Sequence, residues 1–141
     1  METQTKTNIT VEVTVNAPVE KVWKHFTSPE SITRWNNASD DWHTARAEND
    51  LRPGGKFNYR MEAKDGSLGF DFWGIYDSVV VNKFISYTMG DTRKCEVTFK
   101  SEGNTTRVSE TFEAETENSI ELQRGGWQAI LDNFKRYAES K

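Results

Sequence analysis

The sequence predicts an α+β fold: a curved antiparallel sheet wrapped around one long C-terminal helix, with two short helices after the first strand. Three observations carry this. Apolar and polar residues alternate at period two from Ile9 to Val15. About six further strand-like stretches follow, joined only by short turn sequences, which forces antiparallel neighbours. The chain then ends on a stripe of apolar residues at helical spacing, the one long amphipathic helix available to cover the apolar face of the sheet.

In chain order, Ile9, Val11, Val13 and Val15 share one face of the first strand against Thr10, Glu12 and Thr14. Pro18 stands at the expected first helical position. Val19, Val22, Trp23 and Phe26 follow at i, i+3, i+4 and i+7, one apolar helix face. Ser28-Pro29-Glu30 is a second start signal, a capping serine followed by proline, and opens a short helix through Ile32 to about Trp35. Strand-like stretches fall near residues 42–51, 55–63, 68–79, 83–89, 93–100 and 105–113. Between them lie Arg52-Pro53-Gly54-Gly55, Asp65-Gly66-Ser67, Gly90-Asp91-Thr92 and Glu102-Gly103-Asn104, with a weaker break at Val81-Asn82-Lys83.

One face of this meander is aromatic. Phe57, Tyr59 and Met61 share a strand face, as do Phe70, Phe72 and Tyr76, then Ile85, Tyr87 and Met89, then Cys95, Val97 and Phe99, then Val108 and Phe112. Asn118 with Glu121 three residues on reads as a capping box for the last helix. Its stripe is Trp127, Ile130, Leu131, Phe134 and Tyr137, and Lys135 and Arg136 lie near the end where the helix dipole favours cations. Gly125-Gly126 inside this run costs about 1 kcal/mol per glycine relative to alanine. The pair predicts either a break in the helix or close approach of something to its backbone.

A length of 141 residues fits one domain, read as a polar tail over 1–8 and a single domain over 9–139. The net charge of −4 argues against a nucleic-acid partner, which needs a basic surface. Cys95 is the single cysteine, so there is no internal disulfide and no cysteine-based zinc site. His25 and His43 have no spacing to Asp or Glu that defines a metal site; neither metal nor cofactor is expected. No Gly-x-Ser-x-Gly elbow exists, and Cys95 on an inward strand face reads as a small buried hydrophobe. The polar start carries no signal region and no apolar run approaches the roughly 20 residues of a membrane helix, so a soluble cytoplasmic protein is expected. Only 35% of residues are apolar, and 8 Phe, 5 Trp and 4 Tyr supply much of the buriable area. Such a ring-rich core tiles less readily than a leucine core, which leaves room for a gap between sheet and helix.

Ala17-Pro18-Val19-Glu20-Lys21-Val22-Trp23, Ile32-Thr33-Arg34-Trp35, Asp50-Leu51-Arg52-Pro53-Gly54-Gly55-Lys56-Phe57, Gly74-Ile75-Tyr76, and Gly126-Trp127 with Leu131 occur in this order over nearly the whole chain. Together with the element order they resemble the helix-grip fold of the START-like (SRPBCC) superfamily, and more closely the family named after the activator of heat-shock protein 90 ATPase. The superfamily includes lipid and hormone carriers, aromatic-polyketide cyclases and resistance proteins. The resemblance implies a hydrophobic ligand held between sheet and helix.

The leading reading is therefore a binding module for a small hydrophobic or aromatic molecule. Phe57, Tyr59, Phe70, Phe72, Tyr87, Phe99, Trp127 and Leu131 supply apolar contact, and Glu110 supplies one orienting polar group. Glu110 shares its strand parity with Thr106, Val108 and Phe112, so it is expected to face inward with a raised pKa. The competing explanation is a local bulge, or a pair with Arg93 or Arg46. Trp127 is read as a pocket wall, with Gly125-Gly126 leaving room for a ligand, or as a central core residue, with the glycines relieving crowding, and His43 as a mouth residue or an exposed loop residue. An enzyme of cyclase or hydrolase type using Glu110 as acid/base is one alternative; a stress-related, co-chaperone-like protein-binding module is another. Trp73 and Ile75 have the opposite parity to Phe72, and an outward apolar pair there makes a homodimer contact a candidate partner surface.

Overall fold

The computed structural model describes residues 7–141. The polar tail expected over 1–8 lies outside the described residues up to position 6. Thr7 already accepts a backbone hydrogen bond from Ala114, and Asn8 opens the first strand. The elements are β1 (Asn8–Val15), α1 (Val19–Thr27), α2 (Pro29–Trp35), β2 (Trp42–Asn49), β3 (Lys56–Ala63), β4 (Gly69–Val80), β5 (Phe84–Met89), β6 (Lys94–Glu102), β7 (Thr105–Glu113) and α3 (Ile120–Glu139). The seven strands form one antiparallel sheet in the order β1-β7-β6-β5-β4-β3-β2. The meander runs from one edge to β7, and β1 then pairs beside β7 to form the other edge. This is the expected α+β architecture, with the two short helices after β1 and the long helix packed on the sheet.

The period-two patterns place the core. β1, β6 and β7 alternate buried and open residues, and Ile9, Val15, Val97, Val108 and Phe112 are fully buried. α3 packs along β1, with Leu131, Phe134 and Ala138 buried beneath it. α1 and α2 close one end with a cluster of rings. Phe26 stacks on Trp35 and meets Phe99 and Phe134 edge-on, and Trp23 meets Phe99 at 5.1 Å between centroids.

Three local expectations are corrected. Pro18 occupies the N-cap of α1, with the helix beginning at Val19, whereas Pro29 does hold the first turn of α2. The cap of α3 is Ser119, whose hydroxyl accepts from the Leu122 amide. Asn118 instead bonds back to the Glu115 carboxylate, so the serine one residue later makes the cap. Finally, α3 runs unbroken through Gly125 and Gly126, and a Cβ built on either would meet nothing within 4 Å. The glycines therefore allow no close approach; they leave open space.

Candidate functional site

α3 lies against the β1 side of the sheet, so the face of β2 to β5 is covered less closely. The residue pattern fills that gap with rings that do not close it. A cavity of about 470 Å³ remains between those strands, α2 and the middle of α3. β3 contributes Phe57, Tyr59 and Met61; β4 contributes Phe70, Phe72 and Tyr76; β5 contributes Ile85 and Tyr87. Each set follows from strand parity. β7 contributes Glu110, and α3 contributes Gly126, Trp127 and Ile130. The remaining wall comes from Phe26, Thr27, Trp35, Asn36, Ala38, Ser39, Trp42 and Arg93.

Phe57 is the centre of the ring cluster. It lies within 4.8–5.6 Å, centroid to centroid, of Tyr59, Phe72, Tyr76 and Tyr87. Its ring crosses the backbone of β4 at Gly74, where a Cβ would stand 2.7 Å from the Phe57 ring. Only glycine lets the ring lie there. Trp127 stacks on Phe112 at 3.8 Å and 12° and presents an edge to Phe72 at 6.3 Å. One ring thus serves as core and as wall, as both readings of it required. Trp42 and Phe70, 5.9 Å apart, stand where the cavity reaches solvent, and Phe70 is 48% exposed. The expectation that Phe70 is an inward residue is corrected to a rim residue, because β4 runs past the end of the helical cover.

Glu110 is 8% exposed and its side chain lines the cavity. It sits in an unbroken ladder, opposite Val11 on β1 and Val97 on β6, so no bulge is present at this position. Arg93 bonds the Asp91 carboxylate at 2.7 Å and the Glu113 carbonyl at 2.9 Å, and Arg46 is exposed on β2. Among the described residues, no hydrogen bond or ion pair reaches the Glu110 carboxyl. Burial alone therefore pushes its pKa up to about 8. The groups around it are also held protonated. Burial raises Tyr59 and Tyr87 well above the ordinary tyrosine value, Tyr76 to about 12, and the Cys95 thiol well above its usual range.

The Tyr76 hydroxyl proton points away from the chamber. Tyr76 donates to Asn49 Oδ1, and Asn49 Nδ2 donates to the Thr27 carbonyl at 2.7 Å. The site is thus an apolar, ring-lined chamber with one acid that has no partner among the described residues.

Seven of the nine candidate residues come together here. Phe99 and Leu131 do not. Phe99 faces inward as parity required, but at the far end of β6, where Trp23 and Phe26 cover it. Leu131 is buried in the core under α3. His43 faces Glu62, 3.7 Å away, outside the cavity. Trp73 does face outward, 38% exposed, with Lys56 Nζ 4.7 Å from its ring centroid, while Ile75 is half-buried. Asn36, Trp42 and Arg93 went unrecognised as lining residues. Asn36 and Arg93 lie just outside regular elements and Trp42 at the start of β2, where periodicity says little about which way a side chain turns.

Residues 16–139 match the family model described as Activator of Hsp90 ATPase homolog 1-like protein. The solution structure of the AHSA1-like protein from Aeromonas hydrophila shares 46% identity and a TM-score of 0.90, covering 95% of this chain and 93% of that one. A protein from Cytophaga hutchinsonii shares 52% identity and a TM-score of 0.82, covering 94% and 92%. A Nitrosomonas europaea protein, 19% identical over 94% of each chain with a TM-score of 0.80, shows the fold alone. No curated protein matches the chain. No helix among the described residues is long and apolar enough to cross a membrane.

Proposed function

The chain belongs to the Activator of Hsp90 ATPase homolog 1-like family, within the SRPBCC superfamily, and from that membership and its cavity we propose that it binds a small hydrophobic or aromatic molecule between the sheet and α3. The observation that supports this is the chamber of about 470 Å³ itself, walled by rings and carrying one buried carboxyl with no partner on the protein. Mostly apolar walls with few polar groups are what small-molecule sites share. A buried acid is costly to keep unless something in the site uses it.

The direct test is a fluorescence titration with N-phenyl-1-naphthylamine, a neutral apolar dye that brightens on leaving water. The wild type is expected to bind it saturably. Gly126→Leu projects a side chain from α3 into space that is now open and should weaken binding at least tenfold. Thermal stability should not fall, because leucine also removes the helix cost of glycine. Equal dye affinity in both proteins would overturn the cavity as the binding site.

A further inference from the structure

We propose that the ligand is an organic ammonium: a protonated amine carried on an aromatic or apolar body, its charge against Glu110 and its body among Phe57, Phe72 and Trp127. This rests on the binding reading above and adds the charge of the ligand.

Four observations point the same way. The Glu110 carboxyl lines the chamber without a hydrogen bond or ion pair among the described residues, and its regular pairing to Val11 and Val97 holds it there. Arg93, the one cation among the described residues of the chamber wall, bonds the Asp91 carboxylate and the Glu113 carbonyl. The Tyr76 hydroxyl donates to Asn49 Oδ1, so its proton is directed away from the chamber. An acid with no partner among the described residues favours a ligand that brings donors and positive charge, and –NH₃⁺ brings three N–H groups. Lastly, ring faces carry negative potential and attract a desolvated cation.

The protonation chemistry closes. With its pKa near 8, Glu110 is mostly neutral at pH 7, and ammonium entry sends its proton to the buffer, leaving a carboxylate–ammonium pair. The groups facing it are Tyr59 from β3, Tyr76 from β4, Tyr87 from β5 and Cys95 from β6. All are shifted upward and stay protonated through this range. β1 presents Val11, and α3 presents Gly126, Trp127 and Ile130, none of which titrates.

The experiment is calorimetric titration with 1-naphthylmethylamine and its neutral isostere 1-naphthylmethanol, between pH 6 and 8.5 in two buffers of different ionisation enthalpy. The amine is expected to bind at least tenfold tighter than the alcohol at pH 8. Its affinity should rise about tenfold per pH unit below 8, with about 0.9 proton released at pH 7. Glu110→Gln should abolish the preference and the pH dependence while still binding the alcohol. If that variant did not fold, proton release by the wild type would decide alone. Equal, pH-independent binding of both probes, or tighter binding of the alcohol, overturns the ammonium and leaves the cavity reading standing. Binding of neither probe overturns both.

Discussion

Glu110 weakens the fold that holds it. Its pKa is about 8 in the folded chain against an ordinary 4.5. Below pH 4.5 the group is neutral in both states and contributes nothing to the pH dependence. As pH rises from there toward 8, the unfolded chain ionises and the folded chain does not, so stability is lost across that window and levels off above it. Glu110→Gln removes the titration at nearly constant shape. We expect the melting temperature of the variant to match the wild type near pH 4 and to exceed it increasingly up to pH 8, where the gain reaches about 3–5 kcal/mol. Melts at pH 4, 6 and 8 measure this; a gain independent of pH would show that burial does not perturb the acid. Parity along β7 made the inward orientation legible in the sequence. The missing partner was not legible, because it depends on where Arg93 and Arg46 turn.

At the scale of elements, α3 shows how a local signal is decided by its exact residue. Asn118 and Ser119 are both good caps, and both have acidic residues nearby. The helix uses Ser119 because Glu115 already engages the Asn118 amide and side chain. Ser119→Ala should cost about 1 kcal/mol in chemical denaturation, the usual value of a lost cap. At the glycine pair the helix neither breaks nor meets a close neighbour; the pair leaves open space, in line with the reading of Trp127 as a pocket wall. Gly125 is exposed and has open space at its Cβ position, so Gly125→Ala should stabilise by about 1 kcal/mol. No gain in Gly125→Ala would mean that α3 is not regular at this position.

The molecule as a whole is gripped unevenly. Its β1 side and the end closed by α1 and α2 are packed, with Phe99 enclosed by Trp23 and Phe26. Its β2 to β5 side holds the chamber, bordered by half-buried rings such as Phe72. Equivalent truncations should therefore part company. Phe99→Ala opens a hole in a filled region and should cost about 3–5 kcal/mol without changing dye affinity in the folded protein. Phe72→Ala only enlarges an existing space, so it should cost distinctly less while weakening N-phenyl-1-naphthylamine at least tenfold. Denaturation and titration of the two variants together give the comparison, and the reverse pattern would place the binding region at the Phe99 end.

The sequence by itself determined the order of elements, most of their bounds, the inward parity of Glu110 and the aromatic face of the sheet. These follow from periodicity and turn chemistry, which act over a few neighbouring residues. Position along the strand escaped it: Phe72, Phe70 and Phe99 all occupy strand faces read as inward, yet one lines the chamber, one stands at its rim and one is core. Only the tertiary structure decided this, because the decision lies in where α1, α2 and α3 come to rest on the sheet. That placement is set by packing between residues far apart in the chain, and it is what turns a surplus of rings into a chamber on one side and a filled core on the other.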